Sequence, residues 1–284
     1  GVRASRRTLA RTIRSVAPQI VHSHLAYADI VSAWTRLPAG VRRITTEHGI
    51  AGDDGVYHRS GMQSRVMAFV HRIRFGRFDG VIAVSRATRE AMLAKWRVRQ
   101  PIAVIPNGVD LPSGVERRPP ASVAGLRVLS LSRLAPEKRI DRLVEAFALL
   151  RTARPDATLT IAGEGPLLAE LQALAARRGV PVAFPGFADP ETAMAAADVV
   201  VQLSVWENCS YTLLDAVARG LRVVAAEVGG NPEVADPASL IADVGDVAAV
   251  ARAIEESVPG GAPAPSSVAE MCAAVAREYG RPPR

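Results

Sequence analysis

Arg127-Val128-Leu129-Ser130-Leu131-Ser132-Arg133-Leu134-Ala135-Pro136-Glu137-Lys138 decides how this 284-residue chain is read. Its first five residues are a short run dominated by apolar side chains, and they predict a strand. A polar turn with Pro136 follows, and helical periodicity takes over across 140–152. The next apolar run is 158–162. A strand, a turn, a helix and another strand make a βαβ unit, which brings its strands together in parallel. The same rhythm runs along nearly the whole chain. Strands are predicted at 19–23, 42–46, 80–84, 102–105, 180–184, 199–203 and 222–225, and helices at 64–75, 86–96, 167–177 and 212–219. Strands apolar on both faces belong to parallel sheets covered by helices on each side. Residues 107–124 are rich in Pro, Gly and Ser and read as a linker. The expected organisation is a front lobe with linker at 1–121, a back lobe at 122–265, and a last helical segment at 266–284 returning to the front lobe.

Composition narrows the function classes. The chain is 49% hydrophobic and 22% charged, the balance of a folded globular protein. No run approaches the ~18 apolar residues of a membrane span. The basic opening residues lack an apolar h-region, so no signal peptide is read. Two cysteines, Cys209 and Cys272, make neither a disulfide framework nor a zinc site, and they fit a reducing cytoplasm. The charge is uneven. Residues 1–121 hold 20 basic and 8 acidic side chains, and the remainder holds 15 and 20, within a net +7. The two lobes therefore present opposite signs to their partners. Lys95 and Lys138 are the only lysines among 35 basic residues, which draws attention to a lysine placed just after a strand. Aromatic residues make up 5% and no nucleic-acid recognition motif is present, so nucleic acid is not an expected partner.

In parallel sheets, ligands meet the loops after the strands' carboxyl ends. Arg133 and Lys138 flank such a loop, and two cations beside helix amides suit a diphosphate. Two solvated charges beside a helix cap are the plain alternative. Gly163-Glu164-Gly165-Pro166 follows the 158–162 strand. Glycines there permit close backbone approach to a ligand, and a tight turn before a helix explains them as well. Ser204-Val205-Trp206-Glu207-Asn208-Cys209-Ser210-Tyr211 leads into a helix carrying Asp215, whose carboxylate can accept from sugar or ribose hydroxyls. Val228-Gly229-Gly230-Asn231-Pro232-Glu233 repeats the Gly-rich pattern. In the front lobe, Thr45-Thr46-Glu47-His48-Gly49 ends a strand, and His48 could polarise a sugar hydroxyl. His22 and His24 share one strand face by their period of two. No third ligand is evident in the sequence, so packing and hydrogen bonding are the expectation for them. Residues 59–78 set Arg65, Arg72, Arg74 and Arg77 among Met62, Val66, Met67, Phe69, Val70, Ile73 and Phe75. That pattern suits either an anionic membrane surface or a covering helix with a solvated basic face.

The ordered series resembles the family 4 glycosyltransferases. In the front lobe it consists of Val21-His22-Ser23-His24, Thr46-Glu47-His48-Gly49, Val81-Ile82-Ala83-Val84-Ser85 and Ile105-Pro106-Asn107-Gly108-Val109-Asp110. In the back lobe it consists of Ser132-Arg133-Leu134 with Glu137-Lys138, Ala162 to Pro166, Pro185-Gly186, Ala197-Asp198-Val199, Glu207 to Asp215, Val228-Gly229-Gly230 and Pro232-Glu233. The resemblance runs from about residue 18 to 260. It implies an α/β GT-B fold with two Rossmann-like domains. It also implies a retaining, metal-independent transferase that takes a nucleotide-diphosphate sugar and needs no cofactor. The acceptor it implies is a glycan or a lipid-linked molecule, in cell-surface polysaccharide or glycolipid synthesis. By the same resemblance, Arg133 and Lys138 hold the diphosphate, Glu207 lies near the donor sugar, and His48 contacts the transferred sugar. Gly163, Glu164 and Gly165 belong to the donor site, together with the backbone of Asn208, Cys209, Ser210, Tyr211 and Thr212. Asp215 holds the ribose hydroxyls, and Phe187 with the backbone before it meets the base. The expected location is cytoplasmic, and the basic front lobe admits peripheral contact with the anionic inner face of the plasma membrane.

The chain departs from the family pattern at three points. Asp215 stands where the family usually has Glu. Glu207-Asn208-Cys209-Ser210 replaces the common Glu-Gly-Phe-Gly. The family's first strand, its Gly-rich loop and the next one or two βα units have no counterpart, and no initiator Met is present. This predicts an incomplete front domain lacking roughly 70 residues of a usual domain, and it leaves the 19–23 strand as an apolar edge. Two alternatives follow. One is an inactive nucleotide-sugar-binding remnant or partner subunit, and the other is a GT-B sugar-nucleotide epimerase.

Overall fold

The computed structural model describes residues 1–50, 61–110, 125–259 and 261–281; the side chains of 61–66 and 68 also lie outside the description. Most of the linker segment 107–124 therefore falls outside the described residues. So do the side chains of Met62, Arg65 and Val66. The chain forms two compact units, Gly1–Gly108 with Val268–Arg284, and Val109–Ser267. The first division falls at 108/109, ahead of the boundary read from the sequence at 121/122.

Unit 1 holds a four-stranded parallel sheet of β1 (Ile20–His24), β2 (Arg42–Glu47), β3 (Gly80–Ala83) and β4 (Ile102–Val104), in that spatial order. Its helices are α1 (Val2–Val16), α2 (Ala26–Ala33), α3 (Gly61–Phe75), α4 (Arg86–Trp96) and the last helix of the chain, Val268–Gly280. Strand alternation sorts the core. Val81 and Ala83 pack with Phe75, Phe78, Met92 and Val98 on one face. Ile82 points to the other face, where Ile44 and Ile105 meet Met271, Ala274 and Val275 of the last helix. That helix is also tied down at its end, where Arg42 Nη1 donates to the carbonyl of Tyr279 at 2.6 Å.

Unit 2 holds a six-stranded parallel sheet. Its strands are β5 (Arg127–Leu131), β6 (Thr158–Ala162), β7 (Val182–Gly186), β8 (Val199–Gln202), β9 (Arg222–Ala226) and β10 (Leu240–Ile241). Across the sheet they run β10-β9-β8-β5-β6-β7. The helices are α5 (Ile140–Ala153), α6 (Leu168–Arg178), α7 (Pro190–Ala195), α8 (Tyr211–Ala218) and α9 (Val247–Glu256), and the last helix of the chain becomes α10. Val199 and Val201 join Val128, Phe147, Leu171 and Ile254 under α5, α6 and α9. Val200 and Leu129 face the opposite way, toward Met194, Leu213 and Leu214 on α7 and α8. The central strands β5, β8 and β9 are thus covered on both faces, the physical reason their sequence reads as apolar runs, whereas the edge strand β7 exposes Ala183 and Pro185. β10 has only two residues and was not legible as a run.

The strand order fixes where a ligand can enter. The chain goes from β5 to β6 and β7 on one side, then jumps to β8 on the other side of β5. Loops that leave β5 and β8 therefore part in opposite directions and open a crevice at the sheet's carboxyl edge.

Candidate functional site

The crevice between β5 and β8 brings together residues that the sequence placed 69 positions apart. After β5 the chain makes a 3-10 turn, Pro136–Lys138, and enters α5. Pro136 supplies the fixed φ that starts such a turn. Lys138 Nζ lies 2.5 Å from Glu207 Oε1, in the loop after β8. The same carboxylate oxygen accepts from Gln202 Nε2 at 3.0 Å, the last residue of β8. Arg133 is mostly exposed and its guanidinium pairs with Glu137 one turn on. The carboxylate of Glu137 is held below its usual range. Its burial opposes this, but its own backbone amide and Arg133 outweigh burial.

Backbone contacts lock the loops to one another. Leu134 N donates to the Glu164 carbonyl at 2.9 Å, Val205 N to the Glu137 carbonyl at 2.9 Å, and Gly230 N to the Glu207 carbonyl at 2.9 Å. The glycines are required by this packing. A Cβ on Gly163 would lie 1.9 Å from the Ser132 carbonyl oxygen, and one on Gly165 2.3 Å from the Leu134 carbonyl oxygen. A Cβ on Gly229 would lie 1.8 Å from the Glu207 carbonyl oxygen, and its φ of +53° is left-handed. The loops after β5, β6, β8 and β9 therefore touch through their main chains, leaving the side chains of Lys138, Arg133 and Glu207 at the sheet edge.

α8 starts at this edge. Ser210 caps it by accepting from Leu213 N at 3.3 Å, so its hydroxyl satisfies the helix end. Cys209 is partly buried and packs on the core beneath. Tyr211 is half exposed, and burial raises its phenol pKa, with Cys209 and Asp215 adding to the shift. Asn208 and Thr212 fall in the same stretch. Asp215, in the second turn of α8, is 3.3 Å from Arg219 Nη1. Phe187, just beyond β7, is 81% exposed, although aromatic rings usually bury most of their surface.

In unit 1, three imidazoles gather at the carboxyl ends of β1 and β2. His24 Nδ1 is 2.8 Å from His48 Nε2. His22 stacks on His24 with centroids 4.3 Å apart, and its nitrogens meet Tyr279 Oη at 2.7 Å and Thr46 Oγ1 at 2.9 Å. Burial pushes His22 down to about 4, with His24 and His48 adding to the effect. His48 is lowered for the same reasons, burial first and then His24. The packing role expected for His22 and His24 is thus realised, with His48 as a further member. No group of three metal-ligating side chains suited to an ion is found among the described residues.

Beneath the imidazoles, Arg74 is fully buried between Asp29 and Glu47. Asp29 also accepts from Ser23 at 2.6 Å and Thr45 at 2.7 Å. Glu47 Oε1 accepts from Gly49 N at 3.3 Å, which fixes the backbone around His48. Burial raises both carboxyl pKa values and outweighs the nearby guanidinium. The sequence reading placed Arg74 on the basic face of α3. The structure corrects this, because Asp29 and Glu47 draw it into the core, where the Phe75 ring lies 4.4 Å from its guanidinium carbon. Arg72 and Phe69 of the same helix do remain exposed. Sequence reasoning also missed Gln202, Arg219 and Tyr279. Each is a partner supplied by tertiary packing or by a helical i,i+4 step, with no motif of its own.

The glycosyl transferases group 1 model matches residues 118–263, and the Glycosyltransferase Family 4 model matches residues 2–113. The first match spans about half of the chain, and the chain belongs to glycosyl transferases group 1. Alpha-monoglucosyldiacylglycerol synthase of Streptococcus pneumoniae is 29% identical over 240 residues, covering 75% of this chain and 52% of that protein. The GDP-mannose-dependent alpha-(1-6)-phosphatidylinositol dimannoside mannosyltransferase of Mycobacterium tuberculosis is 34% identical over 141 residues, covering 46% of this chain and 36% of the relative. The chain thus spans about half the length of the first relative and about a third of the second. Among solved structures, Anabaena HepE in complex with UDP and glucose superposes with a TM-score of 0.76 at 22% identity, over 96% of this chain and 80% of that one. Staphylococcus aureus TarM superposes at 0.74 and 17% identity, over 96% and 58%. These likenesses establish the GT-B fold class, with two parallel-sheet α/β units.

Proposed function

We propose that this chain binds a nucleotide-diphosphate sugar at the β5/β8 crevice and transfers its sugar to a glycan or lipid-linked acceptor. The observation that carries this reading is the Lys138–Glu207 pair at the point where the strand order reverses. An ammonium held there by a carboxylate, beside the amides that open α5 and α8, can stabilise negative charge developing on a departing nucleotide diphosphate. Arg133, which pairs with its neighbour Glu137 and is mostly exposed, can swing to a second phosphate oxygen. In this reading these two cations do the work that a divalent metal does in other transferases, and transfer retains the anomeric configuration.

Glu207 orients Lys138 and faces the sugar, with backbone from Asn208 to Thr212 around sugar and phosphate. Asp215, steadied by Arg219, takes the ribose hydroxyls, and Phe187 offers its exposed ring to the base. Gly163, Glu164 and Gly165 seat the loop after β6 against the loop after β5, and in this reading that loop borders the donor. His48 is assigned to the transferred sugar on family resemblance, and its hydrogen bond with His24 fixes the ring. The relatives named above act on lipids according to their names, which supports a lipid or glycan acceptor and a role in cell-surface synthesis. The reading places the chain in the cytoplasm, with its basic front lobe against an anionic membrane surface. Phe69, 63% exposed beside Arg72, supplies an apolar contact for it.

Calorimetric titration with UDP-, GDP- and ADP-sugars tests this. Saturable binding of one nucleotide sugar, weakened at least tenfold by Lys138→Ala and unchanged by Lys95→Ala, is expected. A transfer assay with radiolabelled donor and a membrane-lipid extract should then give a labelled glycoside. A folded chain that binds none of them would overturn the assignment. Binding without transfer would leave the donor site standing and remove the enzyme reading.

A further inference from the structure

Independently of the transferase reading, the geometry points to a second anion site in unit 1, a cleft for a ligand carrying two or more phosphate groups. The cleft lies between α1 and the Thr35-Arg36-Leu37-Pro38 segment that follows α2; it is open to solvent and has a volume of about 710 Å³. That volume falls within the range of small-molecule sites.

The argument starts from α1. Residues 3, 6, 7, 10, 13 and 14 follow a three-and-four spacing, so they share one helical face. A face turned toward the rest of a domain is ordinarily apolar. Here Ile13 is buried and Ala10 half-buried, but the flank beside them carries Arg3, Arg7 and Arg14, which are exposed, and Arg6, which is half-buried; all six line the cleft. Arg36 adds a fifth guanidinium from the opposite wall. The lining contains no carboxylate. Among the described residues, none of the five arginines is ion-paired. Arg6 Nε is buried without a hydrogen-bond partner. A buried donor normally has one, and cations crowded into one cavity repel each other unless an anion lies between them.

The chemistry selects the ligand. Guanidinium forks match phosphate oxygens in paired hydrogen bonds. Five of them on two walls exceed what one carboxylate or one monophosphate can satisfy. Single-stranded nucleic acid would need aromatic platforms, and none lines the cleft. The phosphates can belong to a soluble polyphosphate or to a lipid headgroup.

The test uses the full chain carrying Arg133→Ala and Lys138→Ala, so that the unit 2 crevice cannot contribute. Tripolyphosphate is titrated in one arm. In the other, sedimentation is measured with vesicles of cardiolipin, a lipid with two phosphates, in phosphatidylcholine. Arg6→Gln on one wall and Arg36→Gln on the other are compared with Arg11→Gln, which removes the same charge from the same helix outside the cleft. We expect saturable binding in at least one arm, weakened tenfold or more by either cleft substitution and less than twofold by Arg11→Gln. Tripolyphosphate binding without vesicle binding would identify a soluble ligand, and vesicle binding with the same variant pattern a headgroup. Equal losses in Arg6→Gln and Arg11→Gln would reduce the effect to bulk charge and overturn the site. So would the absence of binding in both arms.

Discussion

Lys138 and Glu207 meet at 2.5 Å although they leave different strands and stand 69 residues apart. Gln202 shares the same carboxylate oxygen, so the pair is one node of a small network. The pair is part-buried, with side chains 21% and 16% exposed, and glutamine at 207 keeps an acceptor for both Lys138 and Gln202. Glu207→Gln should therefore unfold in urea within about 1 kcal/mol of the parent while donor turnover falls at least tenfold. The double variant Lys138→Ala with Glu207→Gln should lose less turnover than the two single losses multiplied together, because the residues act as a unit.

Gly229 and Gly163 hold the loops at van der Waals distance. Alanine at either position places a Cβ within 2 Å of a carbonyl oxygen. Each substitution should cost at least about 2 kcal/mol and weaken nucleotide-sugar binding by moving the loops after β5 and β8. Gly179→Ala is the control. Its φ is also positive, but nothing lies within 4 Å of the added methyl, so it should cost about 1 kcal/mol and leave binding alone. Urea denaturation with a parallel titration reads both effects.

Arg74 is enclosed by Asp29 and Glu47 with no exposed surface. Arg74→Met leaves two buried carboxyl groups without their cation, a change of about 3–5 kcal/mol. Adding Asp29→Asn and Glu47→Gln should recover part of the loss. Chemical denaturation of the single and triple variants measures it, and an unchanged midpoint for Arg74→Met would count against a structural role for the triad.

Acid should loosen unit 1 through His22. Its folded pKa, about 4, lies below the ordinary 6.5, so the unfolded chain binds the proton first. Stability linked to His22 is present above about pH 6.5 and is lost as pH falls toward 4. His48, lowered by burial and His24, acts in the same direction. Asp29 and Glu47, raised by burial, act oppositely, since their contribution weakens as pH rises. Tyr279 and Thr46, the other groups facing the ring, carry no charge in this window. In melts between pH 7 and 4.5, His22→Gln should show a shallower fall in Tm than the parent.

Much of this protein was legible in its sequence because parallel sheets write themselves plainly. Strands buried on both faces must be apolar throughout, and β5, β6 and β8 stood out for that reason. Glycines forced by close backbone contact marked the loops, and the scarcity of lysine singled out Lys138. Arg74 was misread because its spacing fits an exposed basic stripe. Only the arrival of Asp29 and Glu47 from α2 and β2 makes burial of that charge tolerable. Tyr279 carried no signal either, since its partner His22 lies 257 residues away.

The order of residues thus determined the alternation of strand and helix, the two-unit plan and the residue types at the strand ends. Which loops face each other depended on the β10-β9-β8-β5-β6-β7 order. That order is set by how helices cover both sheet faces, a matter of long-range packing that local periodicity does not encode. The same packing turned one arginine of α3 into a buried counter-ion and lined an open cleft with four arginines of α1.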